Sequence, residues 1–136
     1  MRYTIDNCKL KQLSSAIVSK DKGVVNMSDT PFDVKRIYYL YSVPENEERA
    51  GHSHYKLQQY LIAVKGSFTV KLFDGERWKE IRLDSSDTAL HLVPGIWREL
   101  EDFTEGSVCL VLASEKYDES DYIRNMVEFV KWKEIL

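Results

Sequence analysis

Apolar and polar positions alternate with a period of two along much of this chain. In "FTVKLF", Phe68, Val70 and Leu72 fall on one side and Thr69 and Lys71 on the other, the pattern of a half-buried strand. "DG" at Asp74–Gly75 then supplies a hairpin turn, with "WKEIRL" as its return strand. "KRIYYLYSV", "QYLIAVKG", "TALHLVP" and "SVCLVLAS" are further strands, rich in β-branched or aromatic residues and bounded by Gly, Pro, Asp or Ser. The first and third of these approach continuous hydrophobicity, as strands do when both faces are covered, by their own chain or by a partner. Only "DESDYIRNMVEFVKWKEIL" has a helical rhythm: acids open it, and Tyr122, Met126, Phe129 and Val130 fall close to one face. "SKDKGVVNMSDTPFD" and "VPENEERAG" read as loops, and Lys65-Gly66-Ser67 as a tight bend. Many short strands and little helix predict an all-β sandwich or small antiparallel barrel with a short C-terminal helix.

Composition narrows the function classes. The chain has 136 residues, 43% of them hydrophobic and 30% charged, which predicts one soluble domain over residues 1–136. A net charge of −3 leaves no electrostatic footprint for nucleic acid or an anionic membrane, so an anionic substrate needs locally placed arginines. Cys109, inside an apolar strand, reads as a buried thiol, and Cys8 is far from it in sequence. No signal-peptide core is visible, nor an apolar run near the roughly 18 residues that span a bilayer, so a cytoplasmic protein is expected.

The chemistry concentrates in "ERAGHSHYKLQQYLIAVKGSF". His52 and His54 lie two apart, so in a strand they point to the same side, either to solvent or together into a barrel mouth. Such a pair can be polar strand-end residues, a partial metal-ligand set or an acid–base pair.

Taken together, the blocks "PFDVKRIYYLYSVP", "RAGHSHYKLQQ", "VKGSFTVKLFDG", "VPGIWREL" and "VCLVLASEKYDESDYIR" cover nearly the whole chain in order. With them the chain resembles the nucleotide-sugar 3,4-ketoisomerases of the small cupin family, which also occur as the C-terminal part of bifunctional sugar-modifying proteins. Two positions depart from the family's RGxHAH pattern: Ala50 replaces its second residue and Ser53 the alanine between the histidines. The resemblance implies a cupin or jelly-roll barrel, a homodimer, and a dTDP-4-keto-6-deoxyhexose substrate whose keto group moves from C4 to C3 through an enediol. It also implies that no cofactor is needed. A metal-binding cupin supplies a carboxylate a few residues after HxH and a later third histidine. Here Gln59 and Trp97 occupy those places and His91 is the one spare, so no metal is expected.

Moving the carbonyl requires a base at C3, a proton returned at C4 and a proton shifted between two oxygens. An imidazole with a pKa near 6.5 can serve at neutral pH. His54, one strand step closer to the apolar "YLIAV", is expected to be the carbon base, with His52 serving oxygens or phosphates. Tyr38 and Tyr39 must face opposite ways; Tyr39 and Tyr41 are taken as the site-facing pair, Tyr39 as a proton shuttle, with Tyr38 the rival. Arg49 and Arg98 are candidates for the diphosphate, Arg98 alternatively for holding Glu99. Gln59 can bond a sugar oxygen and Trp97 can wall the pocket or stack on the base. A nucleotide-sugar 3,5-epimerase, a metal-dependent cupin oxygenase or a non-catalytic sugar-binding cupin are the competing readings of the same residues.

Overall fold

The computed structural model describes residues 2–19, 22–44 and 49–136, with the backbone alone described at 18, 19, 22, 49 and 50. In chain order the strands are β1 (Leu10–Gln12), β2 (Ser14–Ser19), β3 (Lys22–Asn26), β4 (Arg36–Tyr41), β5 (Arg49–His54) and β6 (Gln59–Lys65). They continue as β7 (Phe68–Phe73), β8 (Trp78–Leu83), β9 (Thr88–Leu92), β10 (Trp97–Glu101), β11 (Val108–Ala113) and β12 (Tyr122–Ile123), before one helix, α1 (Met126–Glu134). One antiparallel sheet runs β1-β9-β6-β11-β4 and a second β12-β5-β10-β7-β8, while β2 and β3 pair with each other as a hairpin. This is the expected all-β jelly-roll barrel with a short C-terminal helix.

The alternation in "FTVKLF" explains how the two sheets meet. Phe68, Val70 and Leu72 are completely buried, and each such side chain contributes about 1.5–3 kcal/mol of hydrophobic free energy. They pack in one core with Leu61 and Ala63 of β6, Leu90 and Leu92 of β9, and Cys109 and Val111 of β11, from the opposite sheet. Cys109 is a free thiol that burial pushes up to about 12, an inert core group. The turn after β7 is built on Asp74, whose Oδ1 accepts the backbone N–H of Glu76 and of Arg77, both at 2.9 Å. Gly75 takes the positive φ of +100° that this turn needs.

The continuous hydrophobicity of "QYLIAVKG" also has a cause inside the chain. Tyr60 and Ile62 point away from the main core into a second cluster with Leu13, Ala89 and Leu112. That outer cluster is covered by Val25, Met27 and Phe32. "SVCLVLAS" likewise lies between β6 and β4, so its apolar run is largely accounted for by its own sheet and core.

Two sequence expectations change. Most of "SKDKGVVNMSDTPFD", read as a loop, belongs to or follows the β2–β3 hairpin, where Val24 and Val25 supply β propensity that the surrounding turn residues masked. The C-terminal helix is shorter than its acidic opening suggested. Asp118 caps a 3-10 turn by accepting Ser120 N–H, and Tyr122 and Ile123 then pair with His54 and Ser53 as β12. Helix propensity in "DESDYIR" loses to tertiary hydrogen bonds and to burial of Ile123. The helix starts only after Asn125, which accepts Glu128 N–H as N-cap. It is tied down by Phe129 and by buried Lys133, which donates to the carbonyls of Tyr3 (2.7 Å) and Gly95 (2.9 Å). Among the described residues no helix is long and apolar enough to cross a membrane.

Candidate active site

Strand β5 carries the histidines, and its neighbours decide which way they face. On one side β10 sets Arg98 opposite His52; on the other β12 sets Tyr122 opposite His54. Gly51 and Ser53 therefore turn away from the site. At Gly51 the space is taken by the Trp97 indole: a Cβ there would lie 2.5 Å from Nε1, so a side chain would force β5 off β10.

On the inner face the two imidazoles sit 5.0 Å apart, nearly perpendicular. The Tyr122 ring lies 4.3 Å from His54 and 5.2 Å from His52. His54 is fully buried, and its main-chain carbonyl accepts Gly95 N–H at 2.8 Å, which fixes the strand end. Burial, then the positive charges of Arg98 and His52, holds its pKa far below that of a free histidine, so the ring is neutral at physiological pH. Asp121 Oδ2 stands 3.4 Å from His54 Nδ1.

Behind the histidines a polar chain crosses the barrel. Arg98 is buried; its Nη1 donates to Gln59 Oε1 at 2.6 Å and its Nε to Ile96 O at 3.2 Å. Gln59 Nε2 in turn donates to the Tyr38 hydroxyl at 3.1 Å. Because a guanidinium only donates, the direction of this relay is set: the amide oxygen faces Arg98, and Tyr38 accepts, leaving its own proton for another acceptor. Burial pulls the Arg98 guanidinium down to about 10, so it stays cationic at neutral pH, and pushes the Tyr38 phenol above its ordinary value. Arg98 Nη2, Arg36 Nε and both ring nitrogens of His54 are buried without a hydrogen-bond partner among the described residues. Buried polar groups are normally satisfied, so this cluster of orphans marks where a polar ligand fits.

The mouth is cationic and aromatic. Arg36, Tyr38 and Tyr122 line an open pocket of about 280 Å³. The Arg36 guanidinium lies 4.6 Å over the Tyr38 ring and that of Arg124 4.2 Å over Tyr122. Arg124 is held by a two-pronged pair with Glu119, at 2.7 and 2.9 Å. In a chain of net charge −3, these are the locally placed arginines that an anionic ligand requires.

The structure thus brings His52, His54, Gln59 and Arg98 together and separates three other expected residues from them. Tyr39 and Tyr41 lie on the outer face of β4, 59% and 66% exposed, while Tyr38 faces inward with Leu40. Alternation alone does not choose the face of β4, and packing on the core selects Tyr38. Trp97 is not a pocket wall. It packs between Gly51 and the Phe129 ring, 5.7 Å away, with its indole N–H donated to Glu99 at 2.8 Å. Arg98 consequently does not hold Glu99. Arg49 starts β5, but its side chain lies outside the described residues. His91 bonds Gln58 through Nε2 at 2.9 Å and packs on Phe32 and Tyr60, in the outer cluster. Among the described residues no group of three or more His, Cys, Asp or Glu is arranged to hold a metal.

Arg36, Asp121, Tyr122 and Arg124 were missed by the sequence reading. Arg36 shares a face with Tyr38 by simple alternation, a signal that was available. The other three fall in "DYIR", whose two-residue strand is too short to leave a period.

Comparison with known proteins assigns the chain to a family. Residues 6–134 match the family described as FdtA: WxcM-like, C-terminal. The TDP-4-oxo-6-deoxy-alpha-D-glucose-3,4-oxoisomerase of Aneurinibacillus thermoaerophilus is 44% identical over 102 residues, 75% of this chain and 73% of that protein. The crystal structure of a sugar 3,4-ketoisomerase from Thermoanaerobacterium thermosaccharolyticum in complex with TDP superposes with a TM-score of 0.91 at 40% identity, covering 95% of this chain and 96% of that one. The TDP-quinovose 3,4-ketoisomerase of Campylobacter jejuni gives a TM-score of 0.86 at 36% identity, covering 92% and 98%. By the match over residues 6–134 and the 44% identity, the chain belongs to this family of cupin-type sugar 3,4-ketoisomerases.

Proposed function

We propose that this protein moves the keto group of a TDP-4-keto-6-deoxyhexose from C4 to C3 by histidine acid–base catalysis, through an enediol. The observation that carries this reading is a neutral, fully buried imidazole, His54, beside His52 and the Tyr38–Gln59–Arg98 relay. His54 takes the C3 proton, and the electron pair of the broken C–H bond becomes the C3–C4 double bond of an enediolate. Arg98 Nη2 and the Tyr38 hydroxyl face the developing charge, with Tyr38, in place of Tyr39, supplying a proton to O4. His52 takes the proton that O3 loses and relays it back to restore the Tyr38 hydroxyl. Returning a proton to C4 while O3 loses its own completes the isomerisation. Oxidation at C3 balances reduction at C4, so no redox cofactor is consumed. Arg36 and Arg124 supply charge for the diphosphate, a role the resemblance also gives Arg49.

The test is incubation with TDP-4-keto-6-deoxyglucose in deuterated buffer containing EDTA, followed by NMR of the product. The expected product has its carbonyl at C3 and deuterium at C4. Deuterium at C3 and C5 with the carbonyl still at C4 would indicate an epimerase. Ligand binding without turnover would indicate a sugar-binding cupin, and turnover only after adding iron or manganese a metal enzyme.

A homodimer is part of this reading. The support comes less from "VCLVLAS" than from β4, an edge strand whose outer face exposes Ile37, Tyr39 and Tyr41 in a row. Such an edge invites pairing unless covered. Light scattering should give about twice the chain mass of 15.9 kDa, and a mass of one chain at micromolar concentration would count against it. The acidic balance of the chain supports a cytoplasmic enzyme without nucleic-acid or membrane partners.

A further inference from the structure

Asp121 stands against the one face of His54 that the proposed chemistry does not use. Its Oδ1 accepts Lys56 N–H at 2.9 Å, its Oδ2 accepts Leu57 N–H at 3.2 Å, and its own carbonyl accepts Tyr55 N–H at 3.1 Å. These bonds clamp the segment after His54 onto the segment before Tyr122, and Tyr122 pairs with His54 across the β5–β12 ladder. The carboxylate is therefore rigidly placed, with Oδ2 3.4 Å from Nδ1 of a ring that has no solvent exposure. That distance is long for a hydrogen bond, and such contacts in ligand-free sites commonly tighten when substrate binds.

We infer that Asp121 is a positioning residue, which keeps the His54 proton on Nδ1 and leaves Nε2 bare for the substrate carbon. The inference rests on the reading of His54 as the carbon base. A carboxylate only accepts hydrogen bonds, so the nitrogen facing it must donate, and in a neutral imidazole the other nitrogen is then the acceptor. The remaining charged and titratable groups around His54 act in the opposite sense or are neutral. Arg98 on β10, His52 on β5, Arg36 on β4 and Arg124 after β12 oppose a positive ring, and Tyr122 presents its aromatic ring. A base in that setting would be too weak unless an anion stabilised the imidazolium formed at proton abstraction, and Asp121 is the acidic side chain at ion-pair distance. The outer side of Asp121 faces an open cleft lined by Lys35, Lys56, Lys116 and Ser120, which gives the carboxylate access to water.

The capping bonds alone would make Asp121 a purely structural residue, and Asp121→Asn separates the two roles. Asparagine keeps an oxygen for Lys56 N–H, gives up the acceptor of Leu57 N–H, and places an amide NH₂ toward Nδ1. This donor forces the ring into the tautomer with its proton on Nε2, which cannot accept one from carbon. The experiment is ¹⁵N NMR of protein labelled in histidine, together with steady-state kinetics on TDP-4-keto-6-deoxyglucose. In the unsubstituted protein His54 should show a protonated Nδ1 and a bare Nε2. In Asp121→Asn the assignment should reverse, and kcat should fall about 100-fold or more while KM changes only a few-fold, in line with the roughly 10²–10⁴ that acid–base catalysis supplies. A proton on Nε2 in the unsubstituted protein overturns the inference, whether or not the variant folds. So does an Asp121→Asn protein with an unchanged tautomer and kcat within about threefold. If the unsubstituted protein shows the Nδ1–H tautomer but turns over no keto-sugar, the isomerase reading fails while the histidine–aspartate arrangement stands.

Discussion

Replacing His54 with asparagine should lower kcat by about 10²–10⁴-fold and abolish deuterium exchange at C3, while the TDP-sugar still binds. The expectation follows from where the ring sits. His54 contributes no surface to the cationic mouth formed by Arg36, Arg124 and Tyr122, where the diphosphate is proposed to bind, so its loss should remove the proton acceptor and leave most binding contacts. His52→Asn should retain part of the exchange, because the role proposed for His52 is at the oxygens. The reverse pattern would exchange the two roles, and normal exchange in both variants would move the base to a tyrosine. The same substitution has a signature in stability. Burial keeps the folded-state pKa of His54 well below its unfolded value, so the neutral ring supports the fold above about pH 6.5. As pH falls below that value the unfolded chain takes up a proton that the folded chain refuses, and stability drops by up to about 1.4 kcal/mol per pH unit from this group. His54→Asn should remove that part of the acid slope, measurable as a flatter dependence of unfolding free energy between pH 6 and 4.

The sequence was most informative where one physical rule acted alone. The strict alternation in "FTVKLF" specified both a strand and its buried face, and β7 buries Phe68, Val70 and Leu72 completely. The same rule placed His52 and His54 together. It could not say which side of "RIYYLY" is inside, since tyrosine suits either face; the choice of Tyr38 is made by packing of Tyr38 and Leu40 on the main core. Trp97 failed for a related reason. An indole beside an arginine looks the same whether the strand turns it to the pocket or to the helix, and here Gly51 and Phe129 accommodate it. Asp121 and Tyr122 are placed by pairing with β5, some seventy residues away in sequence, information that no local window of "DESDYIR" contains. The β2–β3 hairpin was hidden by its high content of turn residues, although its register is regular over most of its length.

Arg98 is expected to serve catalysis while its burial costs the fold, a cost that shows only when its hydrogen-bond partner is removed with it. A guanidinium as buried as this one has lost its hydration, and its bonds to Gln59 and Ile96 leave Nη2 without a partner among the described residues. Replacing such buried charges with apolar groups is often neutral or stabilising, whereas stranding one polar partner costs about 1–3 kcal/mol. In Arg98→Met the stranded partners are Gln59 Oε1 and the Ile96 carbonyl, so the single variant should lose stability of that order. Adding Gln59→Met should recover part of it, because the orphaned amide goes too while the Tyr38 hydroxyl loses the Gln59 N–H. Neither variant should be active: without the cation aimed at the developing oxyanion, kcat is expected to fall about 10²–10³-fold, the size of effect seen on removing one donor from an oxyanion site. Removing Arg98 also removes the largest charge that depresses His54, so the acid limb of any residual kcat/KM should move upward toward the ordinary histidine value. Denaturant titration and a pH–rate profile measure all three effects. A double variant less stable than the single one would mean that the Gln59–Tyr38 bond outweighs the stranded Gln59 oxygen. Full activity in Arg98→Met would place the oxyanion elsewhere, at Tyr38 alone, and would leave this buried charge without a catalytic reason.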